Sequence, residues 1–252
     1  MTWPLRLDRA LVELGLARSR GQASEAIRDG RVRVNGVVCV RVSQPVRQHD
    51  ALELQGADHY VSRAAHKLVG ALAASGVAVP ARVLDAGAST GGFTQVLLES
   101  GAERVYAVDV GHDQLVRSLR DDPRVVVRER LNLRELAVSD LDDEPVDLVV
   151  ADVSFISLTL LLDPLFRVLR PDGEALLLVK PQFEVGRAAL DDHGVVREQS
   201  LRERAVSDVV QAAATLGRGL AWRGESVLPG ESGNREYFVH FVPAASTVGG
   251  AD

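Results

Sequence analysis

Apolar residues recur at helical spacing twice near the start of the chain. Between Leu5 and Leu16 they return every three or four positions until Gly15 interrupts the run, which predicts a short amphipathic helix. Ser19 has the side chain of a helix N-cap, and Gly30 is typical of a residue that follows a helix. A second helix is therefore predicted between these two positions.

The spacing then changes from helical to alternating. Residues 31–38 switch between polar and apolar side chains around the pair Asn35-Gly36, which is a strong indicator of a tight β-hairpin. A further strand is predicted at residues 50–54. Together these segments predict a small α+β module of two helices and a hairpin sheet.

Strand and helix patterns alternate over the rest of the chain, as they do in a doubly wound α/β domain. The predicted strands lie at residues 82–85, 104–110, 124–127, 146–150 and 174–179, with a last strand beginning at Glu236, and the predicted helices lie at 61–69, from about residue 91, and at 157–169. The chain is therefore expected to hold a small module followed by a larger α/β body.

The charge differs between these two parts. The whole chain of 252 residues has a net charge of −6, yet residues 1–56 carry nine arginines and six acidic residues and are basic. A basic module of this kind favours a polyanionic partner. We place the first domain at residues 1–56, a linker at 57–61, the second domain at 62–243 and a flexible tail at 244–252.

Composition argues against several classes of protein. No apolar run approaches the roughly 18 residues that a membrane span requires, and the first residues are too charged for a signal peptide. The single cysteine, Cys39, cannot form an internal disulfide, and the six histidines are not at the spacing of metal ligands. We expect a cytoplasmic monomer that neither enters a membrane nor binds a metal.

Lysine is rare in this chain. Only Lys67 and Lys180 are lysines among 29 basic residues, and the others are arginines. A guanidinium stays charged in proteins, whereas an amine changes its pKa readily on burial. The two lysines therefore indicate amine chemistry, although a coding bias toward arginine would leave the same composition.

A glycine-rich segment follows the first predicted strand of the body, where α/β folds bind nucleotides. Gly87 would let the backbone approach a ligand, but Ser89 stands where a dinucleotide site needs glycine, which disfavours NAD. Asp109 ends the next strand, where an acid accepts the hydroxyls of a ribose. This combination favours S-adenosylmethionine, and the alternative is a tight turn without a ligand.

Charged residues follow or begin three segments that an α/β sheet brings toward one edge. Asp152 comes directly after one strand, Lys180 after another, and Glu236 begins the last strand. Lys67 lies in the helical segment just before the first strand of the body. Taken singly, each residue is better explained as an N-cap or an ordinary exposed charge, but the four together predict a catalytic group.

The N-terminal segment "RLDRALVELGLARSRGQASEAIRDGRVRVNG" resembles the small RNA-binding module first described in a small-subunit ribosomal protein, over about residues 5–54. The resemblance implies that arginines contact phosphates, which fix the register of an RNA without reading its sequence. The arginines that we assign to RNA binding are Arg6, Arg9, Arg18, Arg20 and, at the start of the body, Arg63; Arg28, Arg31 and Arg33 are further candidates.

Lys67, Asp152, Lys180 and Glu236 resemble, in order and context, the Lys-Asp-Lys-Glu tetrad of RNA ribose 2′-O-methyltransferases. The segments "HKL", "DAGASTGGFT", "VYAVDVG", "DVSFISL", "LVKPQFEVG" and "GNREYF" narrow the resemblance to the TlyA, or hemolysin A-like, ribosomal RNA cytidine 2′-O-methyltransferases over about residues 5–242. It implies a Rossmann-like methyltransferase domain with a mostly parallel seven-stranded sheet. The cofactor-binding residues it implies are Asp85, Gly87, Ser89, Thr90, Gly91, Gly92, Phe93, Asp109, Val110, Asn132 and Asp152.

The resemblance also implies roles for the four charged residues. A ribose hydroxyl is a poor nucleophile, so a base must take its proton as the oxygen attacks the methyl group. Lys180 would be that base, Lys67 would stabilise the developing negative charge, and Asp152 and Glu236 would orient the two amines. The sequence leaves open which of the two lysines is the base. Leu131, beside Asn132, replaces a threonine expected in the family, and His112-Asp113 replaces a tyrosine-glycine pair.

The expected function is methylation of a ribose 2′-hydroxyl, in a cytidine of ribosomal RNA or of a ribosomal subunit. The alternative is an RNA-binding assembly factor without catalysis that keeps a site for S-adenosylmethionine. A membrane-lytic role, implied only by the hemolysin label of relatives, finds no apolar span or basic amphipathic helix in the sequence.

Overall fold

The computed structural model describes residues 3–17, 19–55, 59–230 and 232–244. The chain divides into two compact units, Met1–Ser62 and Arg63–Asp252. Arg18, residues 57–58 of the predicted linker and residues 245–252 of the predicted tail lie outside the described residues. Within the described part, no helix is long and apolar enough to cross a membrane.

The N-terminal unit is the predicted α+β module. Its elements are β1 (Leu5–Arg6), α1 (Leu7–Glu13), α2 (Arg20–Arg28), β2 (Val32–Val34), β3 (Val37–Val38), β4 (Pro45–Val46) and β5 (Leu52–Leu54). Strands β1 and β4 form a two-stranded sheet, and the other three strands form an antiparallel sheet in the order β3-β2-β5.

The first helix is shorter than the hydrophobic pattern predicts. Residues 5–6 pair with β4 as an antiparallel strand, so α1 begins only at Leu7. The second helix agrees with its capping residues: Ser19 Oγ accepts a hydrogen bond from the Gln22 amide. In the hairpin, Asn35 and Gly36 have φ values of +52° and +81°, as a tight turn of this class requires.

A small apolar core holds this unit together. It joins the inner faces of α1 and α2 to the sheets, since both helices are too short to be stable alone. Its buried residues are Leu5, Leu7, Ala10, Leu11, Ala17, Ala23, Ala26, Ile27, Val32 and Val46.

The second unit contains the predicted mostly parallel seven-stranded sheet. The elements are α3 (Ala64–Ser75), β6 (Arg82–Ala86), α4 (Gly92–Glu99), β7 (Arg104–Asp109), α5 (Arg117–Arg120), β8 (Val125–Glu129), β9 (Val146–Ala151), α6 (Leu162–Arg167), β10 (Leu169–Val179), α7 (Pro181–Glu184), α8 (Gln199–Thr215), β11 (Arg218–Glu225) and β12 (Tyr237–Pro243), with 3-10 helices at Leu133–Glu135, Val138–Leu141, Leu158–Leu160 and Arg187–Ala189. The strand order is β11-β12-β10-β9-β6-β7-β8, in which β12 runs antiparallel to both of its neighbours and the other pairs are parallel.

One predicted helix of the body is wrong in its extent. The segment 157–169 divides into a 3-10 turn and the six-residue α6, and Leu169 already pairs with Val146 as the first residue of β10. Parallel pairing with β9 therefore takes the end of the predicted helix into the sheet. Helix α8 and strand β11 were not predicted.

Alternate residues of the central strands face the two sides of the sheet, as strand geometry requires. One side carries Leu84, Val149 and Leu177 and packs against α6 and α8. On the opposite side, the Phe93 ring of α4 stacks on Phe238 of β12 with centroids 6.2 Å apart. Both faces of the sheet are thus covered by helices, and ligands must bind at an edge.

That edge is where the carboxyl ends of the parallel strands meet the start of β12. Strand β9 pairs with both β6 and β10, so residues that follow these three strands are neighbours. Because β12 is antiparallel and Val179 pairs with Tyr237, the residue before Tyr237 lies beside the residue after Val179. The fold therefore gathers Asp152, Lys180 and Glu236 at one edge.

Candidate functional site

The turn between β6 and α4 closely approaches the end of β9. Gly87 has φ +87°, and a Cβ atom there would lie 2.8 Å from the backbone oxygen of Asp152, too close for any side chain. Ser89 also has a left-handed backbone, with φ +47°. The serine at the position where a dinucleotide site needs glycine therefore adopts the conformation that glycine usually provides.

Asp109 ties this turn to the end of β7. Its Oδ2 accepts a hydrogen bond of 2.8 Å from the Ser89 amide, and its Oδ1 accepts one of 2.7 Å from the Gly111 amide. These bonds fix the carboxylate at the strand end. A carboxylate has about four acceptor positions, so two remain for the hydroxyls of a ribose.

Asp85, in the first strand, is fully buried. Its Oδ2 accepts a 2.6 Å hydrogen bond from the Thr94 hydroxyl, while its buried Oδ1 has no donor among the described residues. Burial raises the pKa of Asp85 to about 7; the Thr94 bond opposes this rise, and the nearby charge of Asp152 adds to it. Asp85 therefore has an unused acceptor that a ligand with donors or positive charge would satisfy.

The other predicted cofactor residues take several positions. Phe93 is 3% exposed and belongs to the core under the loop, whereas Val110, next to Asp109, is 72% exposed. Asn132 caps a 3-10 turn after β8, since its Oδ1 accepts from the Arg134 amide. Thr90 lies in the turn itself, Gly91 has φ +101° as the N-cap of α4, and Gly92 begins that helix.

Lys180 is held by two side chains from the segment that follows β9. Its Nζ lies 2.6 Å from Asp152 Oδ1 and donates a 2.8 Å hydrogen bond to Ser154 Oγ. The contact with Asp152 is close, but its direction does not meet hydrogen-bond geometry. The Lys180 side chain is 10% exposed, so the amine is largely withdrawn from water yet still reachable.

Lys67 and Glu236 form a second ion pair, which is more deeply buried. Lys67 Nζ donates a 2.6 Å hydrogen bond to Glu236 Oε2, and the two side chains are 8% and 2% exposed. Glu236 Oε1 accepts a longer bond of 3.4 Å from Gln182, which lies two residues after Lys180. Gln182 thus links the neighbourhoods of the two lysines.

One face of α3 holds the loop that leads to Glu236. Arg63 Nη2 donates to the backbone oxygen of Pro229, and Gly70 leaves room for the side chain of Val227. Lys67, between Arg63 and Gly70 along this face, reaches Glu236 itself. The predicted RNA-binding residue Arg63 therefore also supports the loop.

Glu184 joins the segments that follow β9 and β10. Its carboxylate accepts hydrogen bonds from Ser157 Oγ at 2.5 Å and from the Leu158 amide at 2.8 Å. Burial raises the pKa of Glu184, and both hydrogen bonds oppose the rise. The Phe155 and Phe183 rings join the same segments, with centroids 5.3 Å apart.

Phe155 combines two unusual properties. It is 91% exposed, and its φ of +63° lies in the left-handed region that bulky residues rarely adopt. An exposed aromatic ring thus stands one residue after Ser154, which contacts Lys180.

Sequence reasoning singled out neither Ser154, Phe155 nor Glu184. All three occur in segments quoted for the resemblance, but their contacts depend on how the segments after β9 and β10 meet. The available signal was the position of each residue just beyond a strand end.

In the N-terminal unit, those predicted RNA-binding side chains that the structure describes are exposed and make contacts. Arg6 and Arg20 both bind Asp8, and their side chains are 54% and 63% exposed. Arg9 forms an i,i+4 pair with Glu13. The structure therefore brings Arg6 and Arg20 together, on the N-terminal side of α1 and α2.

Each of the two units matches the model of a known protein family. Residues 60–242 match the model of FtsJ-like methyltransferases, and residues 5–52 match the model of the S4 domain. The 16S/23S rRNA (cytidine-2′-O)-methyltransferase TlyA of Mycobacterium tuberculosis is 50% identical over 93% of this chain and 88% of that protein. Hemolysin A of Brachyspira hyodysenteriae is 38% identical over 94% of this chain and 100% of its own length.

A solved structure agrees over nearly the whole chain. The putative hemolysin from Streptococcus thermophilus has a TM-score of 0.77 and 38% identity, covering 97% of this chain and 90% of that one. Similarity in both sequence and fold therefore extends across the two units.

Proposed function

Since this chain belongs to the FtsJ-like methyltransferases, and within them to the TlyA family, we propose that it methylates a ribose 2′-hydroxyl in ribosomal RNA. We propose a cytidine as the target, as in the name of the M. tuberculosis relative. Residues 1–56 would act as the RNA-binding domain and residues 62–243 as the methyltransferase domain, joined by residues 57–61. A protein with this substrate would work in the cytoplasm.

The residues at the edge of the sheet fit S-adenosylmethionine. Asp109 retains acceptor positions for the two hydroxyls of a ribose, and the left-handed turn at Gly87 and Ser89 keeps the backbone close to the strand ends. The buried Oδ1 of Asp85 offers an acceptor for a group with positive charge. When bound, S-adenosylmethionine supplies an electrophilic methyl group on a sulfonium sulfur.

Lys180 is the proposed general base. Its amine is 2.6 Å from Asp152 and 2.8 Å from the Ser154 hydroxyl, so its position is fixed before the RNA arrives. In its neutral form the amine accepts the proton of the ribose hydroxyl as that oxygen gains the methyl group. Ser154 Oγ accepts from the amine and orients its free lone pair.

Lys67 is the proposed source of positive charge at the developing oxyanion. Its ion pair with Glu236 is buried on both sides, which holds the ammonium in one place. Glu236 and Asp152 therefore act through the lysines, as positioning residues for the two amines.

The observation that supports this proposal best is the convergence of the four charged residues. The two lysines of the chain come from segments 113 residues apart, yet each meets a carboxylate at 2.6 Å at the same edge of the sheet. Two ordinary exposed lysines would have no reason to be withdrawn from water in this way.

The test measures methyl transfer from radiolabelled S-adenosylmethionine to ribosomal subunits from cells that lack this gene. Lys180→Ala should lose transfer by at least 100-fold while the full chain still binds subunits and S-adenosylmethionine. Arg117→Ala, which removes a cation from a side chain that is 92% exposed, is the matched control and should leave the rate unchanged.

Two results would contradict the proposal. Normal transfer by Lys180→Ala would remove Lys180 from the mechanism. Subunit binding by the wild-type protein without any transfer would instead favour an RNA-binding assembly factor.

A further inference from the structure

In the N-terminal unit, an acidic residue lies beneath two of the arginines that are predicted to bind RNA, Arg6 and Arg20. Asp8, in the first turn of α1, has a side chain that is 3% exposed, and it is the buried charged residue of this unit among those described. A carboxylate beneath a surface that binds a polyanion would, by charge alone, weaken that binding. Its presence there calls for a physical reason.

The contacts of Asp8 supply that reason. Its Oδ1 accepts a hydrogen bond of 3.0 Å from Arg6 Nε. Its Oδ2 accepts bonds of 3.2 Å and 2.8 Å from Nε and Nη2 of Arg20. Residues from β1 and from the start of α2 thus meet on one carboxylate, with both guanidinium groups anchored on their inner sides.

The outer sides of the two guanidinium groups remain available. Among the described residues, nothing accepts a hydrogen bond from either Nη atom of Arg6 or from Nη1 of Arg20. Both side chains are more than half exposed. A guanidinium has five N–H donors in a rigid plane. When Asp8 fixes the edge that contains Nε, the remaining donors point outward in a fixed direction and can bind phosphate oxygens.

Asp8 is ionised under ordinary conditions. Burial raises its pKa, but the hydrogen bonds and charges of Arg6 and Arg20 outweigh burial and hold the pKa below its usual value. The anchor therefore keeps its negative charge at neutral pH.

We propose that Asp8 is a positioning residue for RNA binding, which holds Arg6 and Arg20 in one fixed arrangement for the phosphates of the RNA backbone. This inference rests on the proposed function, since it takes ribosomal RNA as the partner. An exposed arginine loses side-chain freedom when it binds, and a side chain that is already fixed avoids much of this cost. The gain from order in two arginines exceeds the repulsion from one buried carboxylate.

A positioning role for Asp8 predicts a change in RNA affinity opposite to the one expected from charge alone. Asp8→Asn removes a negative charge, which by itself should strengthen binding to RNA. If Asp8 positions the two arginines, the same change should weaken binding by about 5- to 50-fold. The slope of log affinity against log salt should also fall, by about 0.7 to 0.9 for each phosphate that the protein no longer neutralises.

Glu13→Gln is the matched control. Glu13 is an acid on the same helix and is also paired with an arginine, but its side chain is 35% exposed and its 3.4 Å contact with Arg9 lies on the surface. Its removal should leave the affinity unchanged or slightly raised. A loss on Asp8→Asn together with no loss on Glu13→Gln would separate anchoring from net charge.

The experiment measures binding of the full chain to ribosomal subunits from cells that lack this gene, at several salt concentrations. It compares the wild type, Asp8→Asn, the double variant Arg6→Gln/Arg20→Gln, and the triple variant. If Asp8 acts through these arginines, Asp8→Asn should have no further effect in the double-variant background. A general folding defect would weaken binding in both backgrounds.

The outcomes are distinct. Weaker binding and a smaller salt slope for Asp8→Asn, with no added loss in the triple variant, support the inference. Unchanged or tighter binding by Asp8→Asn, or an equal loss in both backgrounds, overturns it while the proposed function stands. If the wild-type protein itself fails to bind subunits, the proposed function falls, and this inference with it.

Discussion

Asp85→Asn gives a test of the electrostatics at the edge of the sheet. In the folded protein, burial raises the pKa of Asp85 from its ordinary value of 3.8 to about 7. The folded state therefore holds a proton that the unfolded state releases between these two values. Stability from this group is fully present below about pH 4 and is lost as the pH rises through 7.

The size of the effect follows from the shift. About three pKa units correspond to about 4 kcal/mol at 1.36 kcal/mol per unit. Asparagine does not titrate and still accepts the Thr94 hydrogen bond through its amide oxygen. Relative to the wild type, Asp85→Asn should therefore gain about 4 kcal/mol in unfolding free energy between pH 4 and pH 8.

Urea unfolding at a series of pH values measures this difference. The chain has two tryptophans, so a Trp3→Phe background lets the fluorescence of Trp222 report the second unit alone. The titrating groups that do not interact with Asp85 are shared by the two proteins and cancel in the comparison. Parallel stability curves for the wild type and Asp85→Asn would refute the raised pKa of Asp85.

Three further predictions concern the site. Lys180→Arg keeps the charge but removes the amine that can lose a proton, so methyl transfer should fall by 100-fold or more. Lys67→Arg should reduce transfer less, because Lys67 is proposed to supply only charge. Near-normal transfer by Lys180→Arg would refute the role of Lys180 as the base. Gly87→Ala places a Cβ 2.8 Å from the backbone oxygen of Asp152 at φ +87°, and should lower stability by about 1–3 kcal/mol and reduce transfer; an unchanged urea midpoint would contradict the close approach. Glu184→Ala removes the acceptor of the Ser157 hydroxyl and the Leu158 amide, so it should lower the free energy of unfolding by about 1–3 kcal/mol. Glu184→Gln should restore most of this stability, and equal losses in the two variants would show that the carboxylate charge matters instead.

The sequence predicted those parts of the fold that depend on local pattern. Ser19 caps its helix and Asn35-Gly36 turns its hairpin, because capping and left-handed turns need particular side chains. The helical spacing around Leu5 predicted the wrong start for α1, because residues 5–6 pair with the distant strand β4 instead. Long-range pairing carries no local signal.

In the candidate site, too, the sequence could identify individual residues but not the contacts between them. Lys67, Asp152, Lys180 and Glu236 stand next to strand ends or in recognisable segments, so sequence alone could name them. Which carboxylate meets which lysine depends on the sheet order, in which β12 lies beside β10 and beyond β9. The pairing of Lys67 with Glu236 across 169 positions was therefore not accessible from sequence.

The placement of β12 makes the proposed site depend on the last strand that the structure describes. This strand fits between β10 and β11, and Glu236 at its start is the acceptor for the buried ammonium of Lys67. The proposed S-adenosylmethionine loop between β6 and α4 packs against the end of β9, so it makes its closest approach without β12, whereas Lys67 has no carboxylate partner until β12 is in place. On the proposed roles of Lys67 and Glu236, methyl transfer therefore serves as a reporter of complete folding, since a partly folded species without β12 is expected to be inactive.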